Sequence, residues 1–474
     1  MKVNIVFLLI FFLPISSCAD LPNQNVWDIK KRYGEINGDS FQRAINHAIE
    51  YRNQFPNQSI VLSIPQGQYF LDKQIKIAGM EEAGEGWIII KGQGIGKTIL
   101  LDTEYETDGL VTFRAHKPHR LKFTGFSLYG ERITSSQGTI VEIDTKYVDI
   151  KIDKGFPEPS DLYQTETTAA NKIRLIDDDD AANPRFVEDE NNDHYSNRVT
   201  WFGPDRGSPP YRLSKGIWRF FPIKATPFKV GDRIAISSKS KQTQWGRFSG
   251  GGSDLVFESI QLKRLGRIKF LQKIDESWNN IKFTNVSIIK FEVDGMTSFY
   301  STDAGPQLGS AGKAGNIYNL IVNNCSFENT VDDGIAFQNV QSGMISNNIW
   351  RNTGGVLVAD NSGDNLKFQN NQFYHSPVED QRPGNGDFKG VYNNSHRIDG
   401  TKVHLNWNEA SRAQTYKIYF GDKESRPLID VQHETSKTVE GLEHGKEYFW
   451  KVDAYNEKYG TNIGDWHSFK VNKN

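Results

Sequence analysis

The chain has 474 residues, 37% of them hydrophobic and 24% charged, with a formal net charge of −2. That length suits one large domain and one small one, and the near-neutral balance speaks against a nucleic-acid partner or a polybasic membrane contact. Aromatics make up 12%, including 10 Trp and 18 Tyr, so rings beyond those a core needs are available for stacking on flat ligands. The two cysteines, Cys18 and Cys325, give neither a disulfide framework nor a zinc-ligand spacing.

The chain opens with "MKVNIVFLLIFFLPISSCAD". Lys2 supplies a positive start, and Val6 to Leu13 is an apolar run too short to span a bilayer. The "ISSC" that follows resembles the lipobox of bacterial lipoproteins. The resemblance implies that residues 1–17 are a signal peptide and that Cys18 is lipidated. It also implies a chain held at the cell envelope, on the outer-membrane surface or periplasmic face, unless it is secreted. Residues 18–35 read as a tether. Over 37–56, Phe41, Ala44, Ile45, Ala48 and Ile49 fall at helical spacing, and Pro56 ends the pattern. "IVLSIPQGQYFL" (60–71) then alternates and turns. "KGQGIGKTIL" (91–100) places a Gly-rich turn ahead of Lys97 and Thr98. A P-loop needs a glycine five positions before Gly96, where Lys91 stands, and must open a helix. The strand-like "TILLDT" follows instead, so this is a tight turn between two strands.

A helix, then "IPxGxY", then "IxGxGxxxTxL" resembles the opening of right-handed parallel β-helices of the pectate-lyase type. A repeat supports that fold: "NIKFTNVSI" (280–288), "NLIVNNCSF" (319–327), "SGMISNNIW" (342–350) and "NLKFQNNQF" (365–373). Asn324 to Asn348 is 24 residues and Asn348 to Asn371 is 23; Phe257 and Phe283 match at an interval of 26. Such a period fits a solenoid whose Asn side chains stack rung on rung. The expected fold is all-β: a right-handed parallel β-helix over 36–390, with a β-barrel-like lobe inserted at about 150–250. The acidic "DDDD" at 177–180 lacks a calcium-loop spacing and reads as a solvated loop. Residues 396–474, with Trp407, Tyr416, Tyr448 and Trp450, resemble a fibronectin type III β-sandwich. The resemblance implies an accessory module, and the shift in composition after "YNNS" implies that a chain ended near Asn394 folds without it.

The residues suited to chemistry are Asp303 in "SFYSTDAG" and the pair Asp332 and Asp333 in "ENTVDDGIAFQN", 29 residues on. In a stacked solenoid, carboxylates from successive coils can converge on one groove. Glycoside hydrolysis needs an acid and a second carboxylate, and like charges held close keep one of them protonated. Trp245 and Arg247, in "TQWGRFSGGG", are placed to wall a groove and stack on a sugar. Arg351, Asp360, His375 and Arg382 follow on later coils as candidate substrate contacts.

Several of these stretches together resemble glycoside hydrolase family 110, the exo-acting α-galactosidases: the lipoprotein-like signal, the β-helix opening, an insertion ending in "VGDRIAI", then "SGGGSDLVFESIQL" and "NCSFENTVDDGIAF". The resemblance covers about residues 35–390 and implies an inverting mechanism, with Asp332 and Asp333 matching that family's Asp-Asp pair and Asp303 its preceding turn. "STDA" and "VDDGIAFQ" are also similar to the polygalacturonase plan. The expected activity is hydrolysis of a galactose-containing or acidic polysaccharide by paired aspartates. No cofactor is implied, and no contact with nucleic acid; a lipid anchor is the only membrane contact. A pectate-lyase-like polysaccharide lyase is the alternative. It would call on Lys389 or Arg382 as base and on Ca²⁺. A non-catalytic glycan-binding surface lipoprotein is the third reading.

Overall fold

The structure is a computed structural model. It describes residues 24–103, 111–133, 135–162, 171–177, 185–186, 198–201, 211–221, 228–237, 244–299, 304–309, 315–330, 333–391 and 394–472. Cys18, Asp303, Asp332 and residues 178–180 lie outside these.

The chain winds into a right-handed parallel β-helix with three faces. On the first, Gln24–Asp28, Ser59–Ser63 and Ile88–Lys91 are followed by the first halves of three long strands, His119–Gly130, Gly252–Lys263 and Trp278–Ile288. Leu320–Asn323, Ser342–Ser346 and Asn365–Gln369 complete it. The second face holds Gly67–Leu71, Thr98–Asp102, the latter halves of the long strands, Ser326–Glu328, Ile349–Arg351 and Asn371–Tyr374. The third runs through Ile75–Ile77, Val111–His116, Gln244–Ser249, Gly266–Leu271, Gln307–Leu308, Ile335–Phe337, Val356–Val358 and Val378–Asp380. "KGQGIGKTIL" spans the corner between Ile88–Lys91 and Thr98–Asp102, on adjacent faces.

Left-handed residues stacked in columns turn the corners. Between the first and second faces, Gly125, Ser259, Asn285, Asn324, Asn347 and Asn370 all have φ between 52° and 71°. Asn tolerates this region because its short amide can bond locally. Here the amides bond to the next coil: Asn285 Nδ2 donates to Ser259 Oγ at 3.1 Å and Asn347 Nδ2 to Asn323 Oδ1 at 3.0 Å. Inside the corner runs a buried ladder. Asn348 Oδ1 accepts from Cys325 N at 2.9 Å, and Asn371 Oδ1 accepts from Asn348 N at 3.1 Å. Cys325 therefore occupies an asparagine rung, where burial pushes its thiol up to about 12. Asn324 thus stacks on Asn347 and not on Asn348; the spacing from 324 is 23 residues, one fewer than the sequence match suggested. Phe257 pairs with Phe283 as expected, in a column Phe123–Phe257–Phe283 with ring separations of 5.5 and 4.8 Å. Phe327, Trp350 and Phe373 form a second, at 5.8 and 5.1 Å.

The helix Gly38–Gln54 covers the N-terminal end. Its N-cap Asn37 makes a capping box with Ser40, and Phe41, Ala44, Ile45, Ala48 and Ile49 are all buried. The expected tether is corrected in part: Gln24–Asp28 is the first rung, paired in parallel with Ser59–Ser63. The inserted lobe has its own core, with Ile140, Ile150, Trp218, Phe220, Ile234 and Ile236. Its strands run in the order Arg185–Phe186, Asn171–Asp177, Arg233–Ser237, Ser135–Ile143, Val148–Ile152, Ile217–Phe220, Tyr211–Ser214. It begins at Ser135, ahead of the expected boundary, and among the described residues no pairing closes the sheet into a barrel.

Residues 395–470 form two antiparallel sets. One is Ser395–Asp399, Lys402–Asn406 and Ser436–Glu440; the other is Leu428–Gln432, Thr415–Gly421, Glu447–Asn456 and His467–Lys470. Trp407, Tyr416, Tyr448 and Trp450 are buried among them. One further strand, Gly460–Ile463, pairs antiparallel with Glu447–Asn456 and parallel with Asn371–Tyr374, continuing the second face. A Cβ on Gly460 would lie 2.2 Å from Asn371 O, so only glycine permits that approach. Beside this junction Asp380 is fully buried. It accepts from Arg382 Nε and Nη2 (2.9 and 2.7 Å), Tyr459 Oη (2.8 Å) and Lys458 Nζ (3.1 Å). Burial opposes its charge, but these donors outweigh burial and hold the carboxyl at about 2.

The C-terminal residues are therefore the end cap of the solenoid. A chain ended near Asn394 should lose the cooperative thermal transition of the full chain, contrary to the separability the composition suggested; an unchanged transition in a calorimetric scan would refute the capping role. Asp380→Asn leaves Arg382 buried without its counter-charge and should cost about 3–5 kcal/mol, read from urea unfolding at pH 7. Asp380 is depressed in the folded state, so its contribution is present above the ordinary carboxylate range and disappears as pH falls toward 2. The difference between wild type and variant should shrink over that window.

Candidate substrate-binding face

On the third face, side chains alternate between core and solvent. Ile75, Ile77, Phe113, Ala115, Phe248, Ile268, Phe270 and Leu308 point inward and are buried. The outward residues between them share one register: Lys76, Arg114, Arg247, Lys269, Gln307, Ala336, Leu357 and Glu379, one per coil. The first four are cations on four successive rungs. Lys76 and Arg114 are exposed, Arg247 and Lys269 half-buried. Among the described residues no ion pair involves Lys76, Arg114 or Arg247. On the other faces two cations meet acids: Lys122 Nζ contacts Glu258 Oε2 at 2.5 Å on the first, and Arg351 Nε lies 4.0 Å from Glu328 on the second; Lys282 and Lys367 on the first face have no ion pair among the described residues.

Asp333 sits at the leading edge of this face, in the corner that delivers the chain from the second face to Ile335–Phe337. It is half-buried. Its backbone carbonyl accepts from Gly305 N at 2.9 Å, and Gly334 N donates to Gly355 O at 2.6 Å. Extending the strand register by three residues sets Ala304 beside Asp333 on the preceding coil and Gly354 on the following one. The corner is tight: a Cβ on Gly305 would lie 1.8 Å from Gly334 O. Small residues thus flank the carboxylate on both sides. The inserted lobe leaves and returns at this same corner, between Gly130 and Gln244. Its Gln137 donates to Thr297 O (3.3 Å) and accepts from Phe299 N (3.2 Å), while Asn329 Nδ2 donates to Ser298 O (3.1 Å). A continuous set of hydrogen bonds therefore links the lobe to the segment four residues ahead of Asp333.

The other sequence candidates divide. Arg247 lies in the cationic row. Trp245 is corrected: it is 1% exposed and packs edge-on against Phe257 at 5.3 Å, inside the solenoid, where it can stack on no ligand. Arg351 is corrected to the second face, where it lies over the Tyr374 ring at 4.0 Å. His375 is corrected to a left-handed corner (φ 46°), with Nε2 3.0 Å from Asp465 of the end cap. Arg382 is corrected to the buried pair with Asp380. Asp360 is exposed, but it follows Val356–Val358 at the trailing edge of the third face. Six register positions separate it from Asp333, up to ~20 Å of strand, so the two cannot share a catalytic spacing of ~6.5–9.5 Å. Among the described residues no group of three or more His, Cys, Asp or Glu could hold a metal ion. The sequence reading missed Lys76, Arg114 and Lys269. They lie 38, 133 and 22 residues from their neighbours in the row. The available signal was a cation between apolar residues in "IKI", "FRA" and "IKF".

Residues 248–414 match the family described as a right handed beta helix region. No curated protein matches the chain. Among solved structures, a candidate glycosyl hydrolase from Parabacteroides merdae is 10% identical, with a TM-score of 0.31, covering 74% of this chain and 96% of its own. The A-module of the mannuronan C-5 epimerase from Azotobacter vinelandii is 10% identical, with a TM-score of 0.25, covering 74% and 78%. A fibronectin type III-like protein from Clostridium thermocellum is 20% identical over 18% of this chain and 96% of its own, with a TM-score of 0.17.

If Trp245 is a core residue, Trp245→Ala should lower unfolding stability by about 3–5 kcal/mol. Its binding of any glycan should stay unchanged at a temperature where the variant remains folded. A variant as stable as wild type but weakened in binding would return Trp245 to the surface role.

Proposed function

We propose that this chain is a polysaccharide-processing enzyme, most simply a glycoside hydrolase, that lays its substrate along the third face and acts on it at the corner carrying Asp333. The observation that carries this reading is the placement of Asp333: a half-buried carboxylate at the edge of the third face, two coils past its cations, between the small residues Ala304 and Gly354 of the adjoining coils. A carboxyl so placed can serve as general acid or base toward a glycosidic oxygen. Asp303 and Asp332 are the partners that the resemblance to family 110 supplies, together with its inverting outcome. In the same reading Cys18 carries the lipid that holds the enzyme at the envelope. The C-terminal residues are a fibronectin type III module, a view supported by the Tyr448 hydroxyl accepting from Glu443 N at 3.0 Å, a tyrosine tied back to upstream backbone as in such sandwiches.

One observation favours a second reading. Arg247 and Lys269 stand on the same face, and a lyase needs a base for the C5 proton of a uronate. The products separate the two: hydrolysis releases reducing ends alone, whereas elimination also creates an ultraviolet-absorbing unsaturated sugar. A digest of a polysaccharide panel read both ways decides between them. Asp333→Asn is expected to lower turnover by ~10²–10⁴-fold with unfolding unchanged. Undiminished turnover in that variant would remove Asp333 from the chemistry.

A further inference from the structure

We propose that the column Lys76–Arg114–Arg247–Lys269 is a binding track for an acidic polysaccharide, one bearing a carboxylate or sulfate on successive sugars. The inference rests on the reading of the third face as the substrate face and names the class of substrate that face takes.

The argument is geometric. Coils of a parallel solenoid stack ~4.8 Å apart, and the four cations occupy one register position on four adjacent rungs. They therefore form a straight column parallel to the solenoid axis. An extended chain of pyranose sugars advances by close to one rung per sugar, so an anionic group on each residue meets a cation on each coil. Arg supplies a planar fork matched to carboxylate and sulfate, and Lys a point charge. The column also has a direction. Beyond Lys269 the row becomes Gln307, Ala336 and Leu357, and Asp333 stands at the edge of the Ala336 rung, two coils past Lys269. The cations would hold the polymer on one side of the corner and feed it toward the carboxylate. The anionic end of the row, Glu379, and the exposed Asp360 discourage an acidic polymer from running further. A nucleic acid would also present anions, but among the described residues the rings nearest the row, Trp245, Phe113, Phe248 and Phe270, are all buried and offer bases nothing to stack on.

The test uses the full chain, with polygalacturonate, alginate and chondroitin sulfate as acidic probes, galactan and dextran as neutral ones, and single-stranded DNA. Binding is followed by affinity electrophoresis and calorimetry at low and moderate salt. Wild type should bind at least one acidic polymer and neither neutral one, with affinity falling as salt rises. The double variant Arg114→Gln/Arg247→Gln should weaken that binding about tenfold or more. Lys367→Gln, a charge removed from the first face, should not change it, and thermal unfolding of all three proteins should coincide. If the double variant unfolds early, Lys76→Gln, at an exposed rung, replaces it in the same comparison. Neutral polymers bound as tightly as acidic ones, acidic binding indifferent to the double variant, or tighter binding of DNA would each overturn the track. Turnover separates the two levels. An acidic polymer bound through the column but never cleaved would overturn the enzyme reading and leave the track. A neutral glycan cleaved equally by wild type and the double variant would leave the enzyme and overturn the track.

Discussion

Everything in this molecule depends on adjacent coils staying in register. In a parallel stack a slip of one residue turns every inward side chain outward. The columns of left-handed residues prevent it. A corner built on Asn285, Asn324, Asn347 and Asn370 fixes where each coil bends, and the buried ladder Cys325–Asn348–Asn371 ties each bend to the next, its amides also donating to Val322 O and Ile345 O at 2.9 Å. Losing one such bond strands a buried polar group, worth about 1–3 kcal/mol. The aromatic columns follow from this register and fill the space it defines. So does the column of cations on the third face: four residues scattered along the sequence become neighbours only because no coil between them can slip.

The same fact decides what could be read from the sequence. The N-terminal helix was legible because its five apolar positions and its Asn37 cap are local. The solenoid was legible because its period repeats. The register was legible to within one residue. "NNC", "NNI" and "NNQ" each offer two positions, one at the outer corner and one on the inner ladder, and adjacent asparagines look alike until one is buried. Trp245, Arg382 and His375 could not be placed, because what surrounds them comes from elsewhere. Asp380, the partner of Arg382, also accepts from Lys458 and Tyr459, more than seventy residues later, and His375 meets Asp465. The cationic column was hidden for a related reason: the inserted lobe lies between Arg114 and Arg247, so a reading by intervals finds no period there.

The ends of the solenoid obey the constraint on open sheet edges. An uncapped parallel stack presents unpaired N–H and C=O groups along a whole coil. At one end the helix Gly38–Gln54 closes the core, and Gln42 exchanges hydrogen bonds with the backbone of Lys76, at 2.8 and 2.7 Å, on the first rung of the third face. At the other, Gly460–Ile463 supplies a final parallel strand to the second face, and the Asp380 network locks it there. A module that resembles an accessory in composition is thus structural in position, since its strand Gly460–Ile463 lies where the next coil would have been.

What remains is the distribution of charge over the three faces. On the first two, Lys122 and Arg351 are set beside Glu258 and Glu328. On the third, four like charges stand in a column, and two such charges a rung apart repel by up to ~1 kcal/mol even in water. A protein with a formal net charge of −2 has acids enough to neutralise the column, yet among the described residues no ion pair involves Lys76, Arg114 or Arg247. The repulsion is relieved when a polyanion lies along the column. The lobe adds a wall at the same corner, hydrogen-bonded through Gln137 to the segment that leads toward Asp333. In the proposed reading, a polymer drawn along the cations meets Asp333 at the corner where the lobe leaves and returns, so the track and the carboxylate act on one and the same chain.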